Sequence, residues 1–126
     1  MILCLYCEKP INKNKKYCNN LCQNRFQSGI LVKRWLNKET EGWTGKTRQL
    51  RKHIRAYLYS LYGESCQQCG WNKKHPIDGA ILTEIDHIDG DAENCNLDNL
   101  RILCPNCHSM TATHRARNKN SKRIRK

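Results

Sequence analysis

Four close pairs of cysteines, a small supply of apolar residues and a strand–loop–strand–helix order in the second half predict a small, zinc-stabilised α+β protein. Of 126 residues only 24 are Leu, Ile, Val or Phe, against 23 Lys+Arg and 11 Asp+Glu, a net charge of +12. Such numbers exclude one large apolar core and, taken alone, describe a basic disordered chain. The pairs Cys4/Cys7, Cys18/Cys22, Cys66/Cys69 and Cys104/Cys107 supply the alternative, because each structural zinc contributes roughly 10 kcal/mol or more to folding. Cys95 is left over and reads as incidental. The sequence holds no apolar stretch of about 18 residues that could span a bilayer. Its opening, Met1-Ile-Leu-Cys-Leu-Tyr6, is too short for a secretory signal. These features predict a cytoplasmic protein without a membrane partner, in a reducing compartment where paired cysteines hold metal rather than form disulfides.

The first element, residues 1–28, is a four-cysteine finger. Cys4-Leu-Tyr-Cys7 and Cys18-Asn-Asn-Leu-Cys22 each present two sulfurs from a short loop, and together they close one tetrahedral site. The lysines between them, Lys9, Lys13, Lys15 and Lys16, make the finger a candidate for nucleic-acid contact. A basic helical connector follows over 29–62. Gln23–Phe26 extends the finger as a short helix, Gly29 marks a break, and Ile30, Leu31, Trp35 and Leu36 outline a second short helix. Glu41–Gly45 reads as a loop, with Thr44 or Thr47 as the cap of the next helix. On that helix Leu50, Ile54, Tyr57, Leu58, Leu61 and Tyr62 form an apolar stripe, and Arg48, Arg51, Lys52 and Arg55 an adjacent basic one suited to phosphate.

Residues 63–114 carry the chemistry. The units Cys66-Gln-Gln-Cys69 and Cys104-Pro-Asn-Cys107 are separated by 34 residues, more than a compact finger needs, so structure is inserted between them. Ala80–Asp86 reads as a strand ending at His87, an Asp/Gly/Asn-rich loop follows, and Leu100–Leu103 makes a second strand. Pro105 suits the first position of a helix that carries His108 in its first turn. His114, six positions beyond, is assigned to another face and to the basic tail. The tail, 115–126, cannot bury itself and is expected to stay disordered until it meets phosphate through groups such as Arg115, Arg117 and Lys119.

Charge is unevenly spread. Residues 66–100 carry seven acidic and two basic groups, whereas 101–126 carry eight basic groups and no acidic one. Basic arms around a carboxylate segment imply a polyanion-binding surface surrounding a cation pocket.

The run from Glu84-Ile-Asp-His-Ile-Asp through Asn99 to Leu103-Cys-Pro-Asn-Cys-His108 resembles the HNH endonucleases, over roughly residues 62–114. That family's ββα-metal module is often stapled by a four-cysteine zinc site, here Cys66, Cys69, Cys104 and Cys107. The finger, connector and tail also look like accessory parts of small phage-type members. The resemblance implies hydrolysis of DNA phosphodiesters, with His87 as general base and Asp86 and His108 as ligands of one divalent cation, Mg2+ or Mn2+ foremost. Asn99 matches the middle Asn, which braces the loop that orients the His; Asn94 and Asn96 are rivals for that place. Many members have a Pro shortly after the Asp-His-Ile run, where this chain has Asp89 and Gly90. DNA is the implied partner, with other phage proteins as further candidates and a bacterial host cytoplasm as the setting if the chain is phage-encoded. The competing reading is a non-catalytic zinc-finger protein that binds DNA or RNA, which has no need to bring Asp86, His87 and His108 together.

Overall fold

In a computed structural model, which describes residues 2–121, the chain divides into two compact units between Glu39 and Thr40. Each is described by itself.

The first unit begins with a two-residue hairpin, β1 (Ile2–Leu3) against β2 (Pro10–Ile11), whose connection carries Cys4 and Cys7. One long helix follows, α1 (Asn20–Leu36), with Cys22 in its first turn. Asn19 caps it by accepting a hydrogen bond from the Cys22 amide at 2.9 Å. The helix runs straight through Gly29, where the sequence reading put a break. Nothing crowds that glycine, and a single interior Gly costs a helix only about 1 kcal/mol. Trp35 is buried, whereas Ile30, Leu31 and Leu36 of the expected apolar pattern are exposed.

In the second unit a small hairpin, β3 (Trp43–Thr44) with β4 (Gln49–Leu50), stands where a plain loop was expected. It leads directly into α2 (Lys52–Tyr62), whose N-cap is Arg51 rather than Thr44 or Thr47, with no side-chain cap bond. Ile54 and Leu58 are fully buried, but Leu61 and Tyr62 are exposed, so the apolar stripe packs only through its centre. Fully burying two such side chains is worth roughly 3–6 kcal/mol together.

The central element is the antiparallel pair β5 (Glu84–His87) and β6 (Leu100–Leu103), with Asp86 opposite Arg101 and His87 opposite Leu100. The first strand is shorter than the expected 80–86 and ends on His87 itself. A single 3-10 turn, Leu97–Asn99, feeds β6. Helix α3 (Pro105–Ser109) starts at the expected proline. Its N-cap is a cysteine: the Cys104 sulfur accepts from the Cys107 amide at 3.3 Å. The first knuckle is stitched to β6 through Gln67, whose amide donates to the Ile102 carbonyl and whose side-chain oxygen accepts from the Ile102 amide. Tyr59 on α2 donates to the Thr83 carbonyl at 2.6 Å, just before β5. Between Trp71 and Thr83 the chain makes a surface excursion closed by the bridge Lys74–Ile81 and by the His75 amide on the Ala80 carbonyl, with Ile77 almost fully exposed at its tip. No helix among the described residues is long and apolar enough to cross a membrane.

Candidate active site

Two four-cysteine clusters form, from the residues the spacing indicated. In Cys4/Cys7/Cys18/Cys22 and in Cys66/Cys69/Cys104/Cys107 the four sulfurs lie within 4.8 Å of one another. A tetrahedral ion with bonds near 2.3 Å sets its sulfurs on the order of 3.8 Å apart, so both sets could hold a metal ion. Proton affinities within each set are split. Burial opposes ionisation of Cys4, but backbone groups of Cys7, Tyr6 and Cys18 outweigh it and bring the thiol down to about 6. Cys18 is pushed up to about 12, first by its bond to the Cys7 thiol and then by burial. The second cluster repeats the pattern. Cys66 overcomes burial through backbone groups of Cys104, Cys69 and Gln68 and falls to about 6, while burial and then the Cys104 sulfur push Cys107 up to about 12. One thiolate therefore discourages the next, a conflict that a bound cation relieves.

Beside the second cluster lies a cleft of about 360 Å³, lined among others by Glu84, Asp86, His87 and His108. The β5–β6 register and the start of α3 bring these side chains together. His108 Nε2 is 3.4 Å from Asp86 Oδ1, and its Nδ1 is 3.5 Å from Glu84 Oε1. Asp86 is buried, and Arg101 donates to its other oxygen, Oδ2, at 2.8 Å. The donor set, one carboxylate oxygen and one imidazole nitrogen converging at the cleft wall, fits a divalent cation.

Asn99 braces the loop between the strands. Its amide donates to Asp89 Oδ1 at 3.0 Å and to the Asn94 carbonyl at 2.8 Å, while its oxygen accepts from the Asp89 amide at 3.1 Å. Asn94, one of its rivals, instead donates to Asp89 Oδ2, and Asn96 lies exposed on the surface. Burial works against the charge on Asp89, yet the Asn94 amide, the Asp91 amide, Asn99 and finally His87 hold its carboxyl below the ordinary value of 3.8.

The basic residues divide. Lys52 and Arg55 line a second cleft that also reaches His87. Arg51 is exposed and donates from Nε to the Glu41 carbonyl. Arg48 does not continue the helical stripe. It sits in the β3–β4 connection with φ 52°, pairs with Glu93 at 3.2 Å and lies over the Trp43 ring at 4.8 Å. Residue 48 precedes β4, and α2 begins only at Lys52, so the helical spacing misassigned it. Arg115 lines the first cleft, Arg117 is exposed in a 3-10 turn at Arg115–Arg117, and Lys119 lies beside Asp89 and Asp91.

Four residues in contact with these side chains escaped the sequence reading. Arg101 reaches Asp86 across the strand pair and Glu84 reaches His108 on α3, contacts that no local spacing announces. Cys95, read as incidental, is buried, with its sulfur 3.6 Å from His87 Nε2 and bonded to the Ala92 carbonyl. Close packing holds it there, since a Cβ on Gly42 would come within 2.4 Å of the Cys95 Cβ. His114 belongs to the cleft, its ring edge-on to His108 with centroids 5.1 Å apart. Nor is the tail free where it is described. Asn118 and Asn120 donate to the carbonyls of Gly90 and Asp89, which orders residues up to 121; residues 122–126 of the expected disordered tail lie outside the described residues.

The chain is 43% identical over 58 residues to "H-N-H endonuclease F-TflIV" of Escherichia phage T5. It resembles the HNH endonucleases. The aligned stretch covers 46% of this chain and 25% of the relative, so the HNH-like chain spans about a quarter of the length of the curated protein it matches. No protein-family model matches the chain, and no solved structure does.

Proposed function

We propose that this HNH-like chain is a metal-dependent endonuclease that hydrolyses DNA phosphodiesters, nicking one strand at each encounter. The observation that carries the reading is the convergence of Asp86 Oδ1 and His108 Nε2 at 3.4 Å beside His87. Asp86 and His108 hold a divalent cation, Mg2+ or Mn2+, and His87 takes a proton from the water that attacks phosphorus. When bound, the cation supplies charge stabilisation to the phosphate and the departing 3'-oxygen. Imidazole suits the base role because its ordinary pKa near 6.5 leaves it neutral near physiological pH. Arg101 keeps the Asp86 carboxylate turned so that Oδ1 faces His108. Asn99 fixes the loop that leaves His87, and Cys95 lies against the imidazole.

The cation fits by donor chemistry, and the two cysteine clusters fit zinc by spacing. DNA contact is assigned to Lys52 and Arg55 beside His87, to Arg51, to Arg115, Arg117 and Lys119, and to the finger lysines. Double-strand cleavage would require two such sites or two events.

A binding module without catalysis is the second reading, favoured by eight clustered cysteines and the +12 charge. Supercoiled plasmid separates the two. Purified protein with Mg2+ or Mn2+ should yield nicked circles, while EDTA and His87→Ala should abolish them, the substitution costing roughly 10²–10⁴-fold in rate with DNA affinity retained. Tight plasmid binding with no cutting under either cation, across varied DNA, would overturn the nuclease reading.

A further inference from the structure

The segment after α3 folds back on the loop that leaves β5. Thr111 and Met110 close the short helix through bonds to the His108 and Cys107 carbonyls, and the chain then turns at Arg115 with φ 49°. A non-glycine residue there stores strain, which persists only where surrounding contacts hold it. Here they do. Asn118 Nδ2 donates to the Gly90 carbonyl at 2.7 Å, and Asn120 Nδ2 to the Asp89 carbonyl at 2.8 Å. Asn118 Oδ1 accepts from the Asn120 amide at 2.9 Å, so the two bonds brace one another. The fit leaves no slack: a Cβ on Gly90 would meet Asn118 Oδ1 at 2.4 Å, and Gly90 holds φ 77°. Gly90 in turn donates its amide to the His87 carbonyl at 2.9 Å, which puts the clasp two hydrogen bonds from the base. On the inner side of the segment, His114 meets His108 edge-on and Arg115 lines the same cleft as Asp86.

We propose that Asn118 is a positioning residue for phosphodiester cleavage: its amide clasps residues 113–121 to the Asp89–Gly90 turn and so sets the Arg115 guanidinium in the cleft wall, where it meets the phosphate being cut. This rests on the nuclease reading and adds to it a cation that the protein itself supplies. A cation already in place needs no reordering when charge builds on the phosphoryl oxygens, and fixed charges of this kind act mainly on the turnover rate. If the segment were only a polyanion tether, removing the clasp would change DNA affinity and leave turnover alone.

Asn118→Asp is the sharp test, because a carboxylate of the same size cannot donate to the Gly90 carbonyl. In the zinc-loaded chain of 126 residues, nicking of supercoiled plasmid in Mn2+ should lose about tenfold or more in kcat, with KM changed by less than about threefold. Asn118→Gln, which keeps the donor, should recover part of the loss. Arg115→Gln should reproduce the defect, and the double variant Arg115→Gln/Asn118→Asp should be no slower than the worse single one, since both remove the same interaction. Trypsin should cut after Arg115 and Arg117 faster in Asn118→Asp than in wild type. Wild-type turnover in Asn118→Asp overturns the proposal and leaves the nuclease reading standing. So does a loss matched by zinc release or unfolding, or one that multiplies with that of Arg115→Gln. A wild-type chain that cuts no DNA with any cation takes the nuclease reading and the proposal down together.

Discussion

Replacing Asn99 with alanine removes three hydrogen bonds at once. Two are donated by its amide, to Asp89 Oδ1 and to the Asn94 carbonyl, and one is accepted from the Asp89 amide. A neutral bond contributes about 1 kcal/mol and one to a charged group about 1.5–3 kcal/mol, which sets a ceiling near 4–5 kcal/mol. Water can reach the partly exposed Asp89 and Asn94 once the side chain is gone, so the expected loss is about 3 kcal/mol. Asn99→Asp keeps the acceptor, loses both donors and brings a second carboxylate beside Asp89. It should therefore be worse than alanine at neutral pH and recover relative to it in acid. The Asp89 contribution follows the same logic: a carboxyl held below 3.8 in the fold adds stability above that value and loses it as pH falls through its folded value. Removing Asn99 shrinks that contribution. The assay is urea unfolding of the full chain with zinc in excess, paired with plasmid nicking. Asn99→Ala that costs under about 1 kcal/mol and nicks at the wild-type rate would refute the brace.

Other expectations follow the same physical lines. Cys66→Ser should remove one of two bound zinc ions and unfold the second unit, whereas Cys4→Ser should remove the other and leave the β5–β6 hairpin folded; metal analysis and amide exchange read both. His53 lies in α2 with its Nε2 buried and unpartnered, and burial, then the Arg51 charge, hold its imidazole below 6.5. The fold thus favours neutral His53, and stability should be lost as pH falls below 6.5 toward the lower folded value. At saturating zinc, His53→Phe should show a smaller drop in unfolding midpoint than wild type between about pH 7 and 5.5; parallel curves would refute this. Lys52→Gln and Arg55→Gln together should reduce the slope of log affinity for DNA against log salt by about 2, about one unit for each phosphate that is no longer neutralised.

Features fixed by near neighbours were legible in the sequence. Cysteine spacing located both clusters, since the ligands of each half-site sit within one short loop. Pro105 marked α3, and the short apolar run after the Asp/Gly/Asn-rich loop marked β6. Asp86, His87, Asn99 and His108 were singled out through resemblance, not through pattern alone, and the fold brings three of them, Asp86, His87 and His108, to one cleft. What failed depended on geometry across the fold. Two-residue strands such as Trp43–Thr44 have no period to detect. Gly29 looked like a stop because glycine is a poor helix former, yet it is the only glycine among the seventeen residues of α1, and no proline accompanies it. Composition suggested an unstructured tail, but two asparagine amides reaching carbonyls some thirty positions earlier order its start.

The surface excursion from Trp71 to Thr83 has a consequence for descent. Its ends are tied by backbone bonds close to the first knuckle and to β5, while its tip touches solvent. Doubling such a loop costs only about 0.6 kcal/mol in closure entropy. Insertions there would leave the cysteine cluster and the Asp86–His87 strand end in register. Lineages could therefore lengthen the protein at this point and acquire new recognition surfaces while the cutting geometry is inherited unchanged.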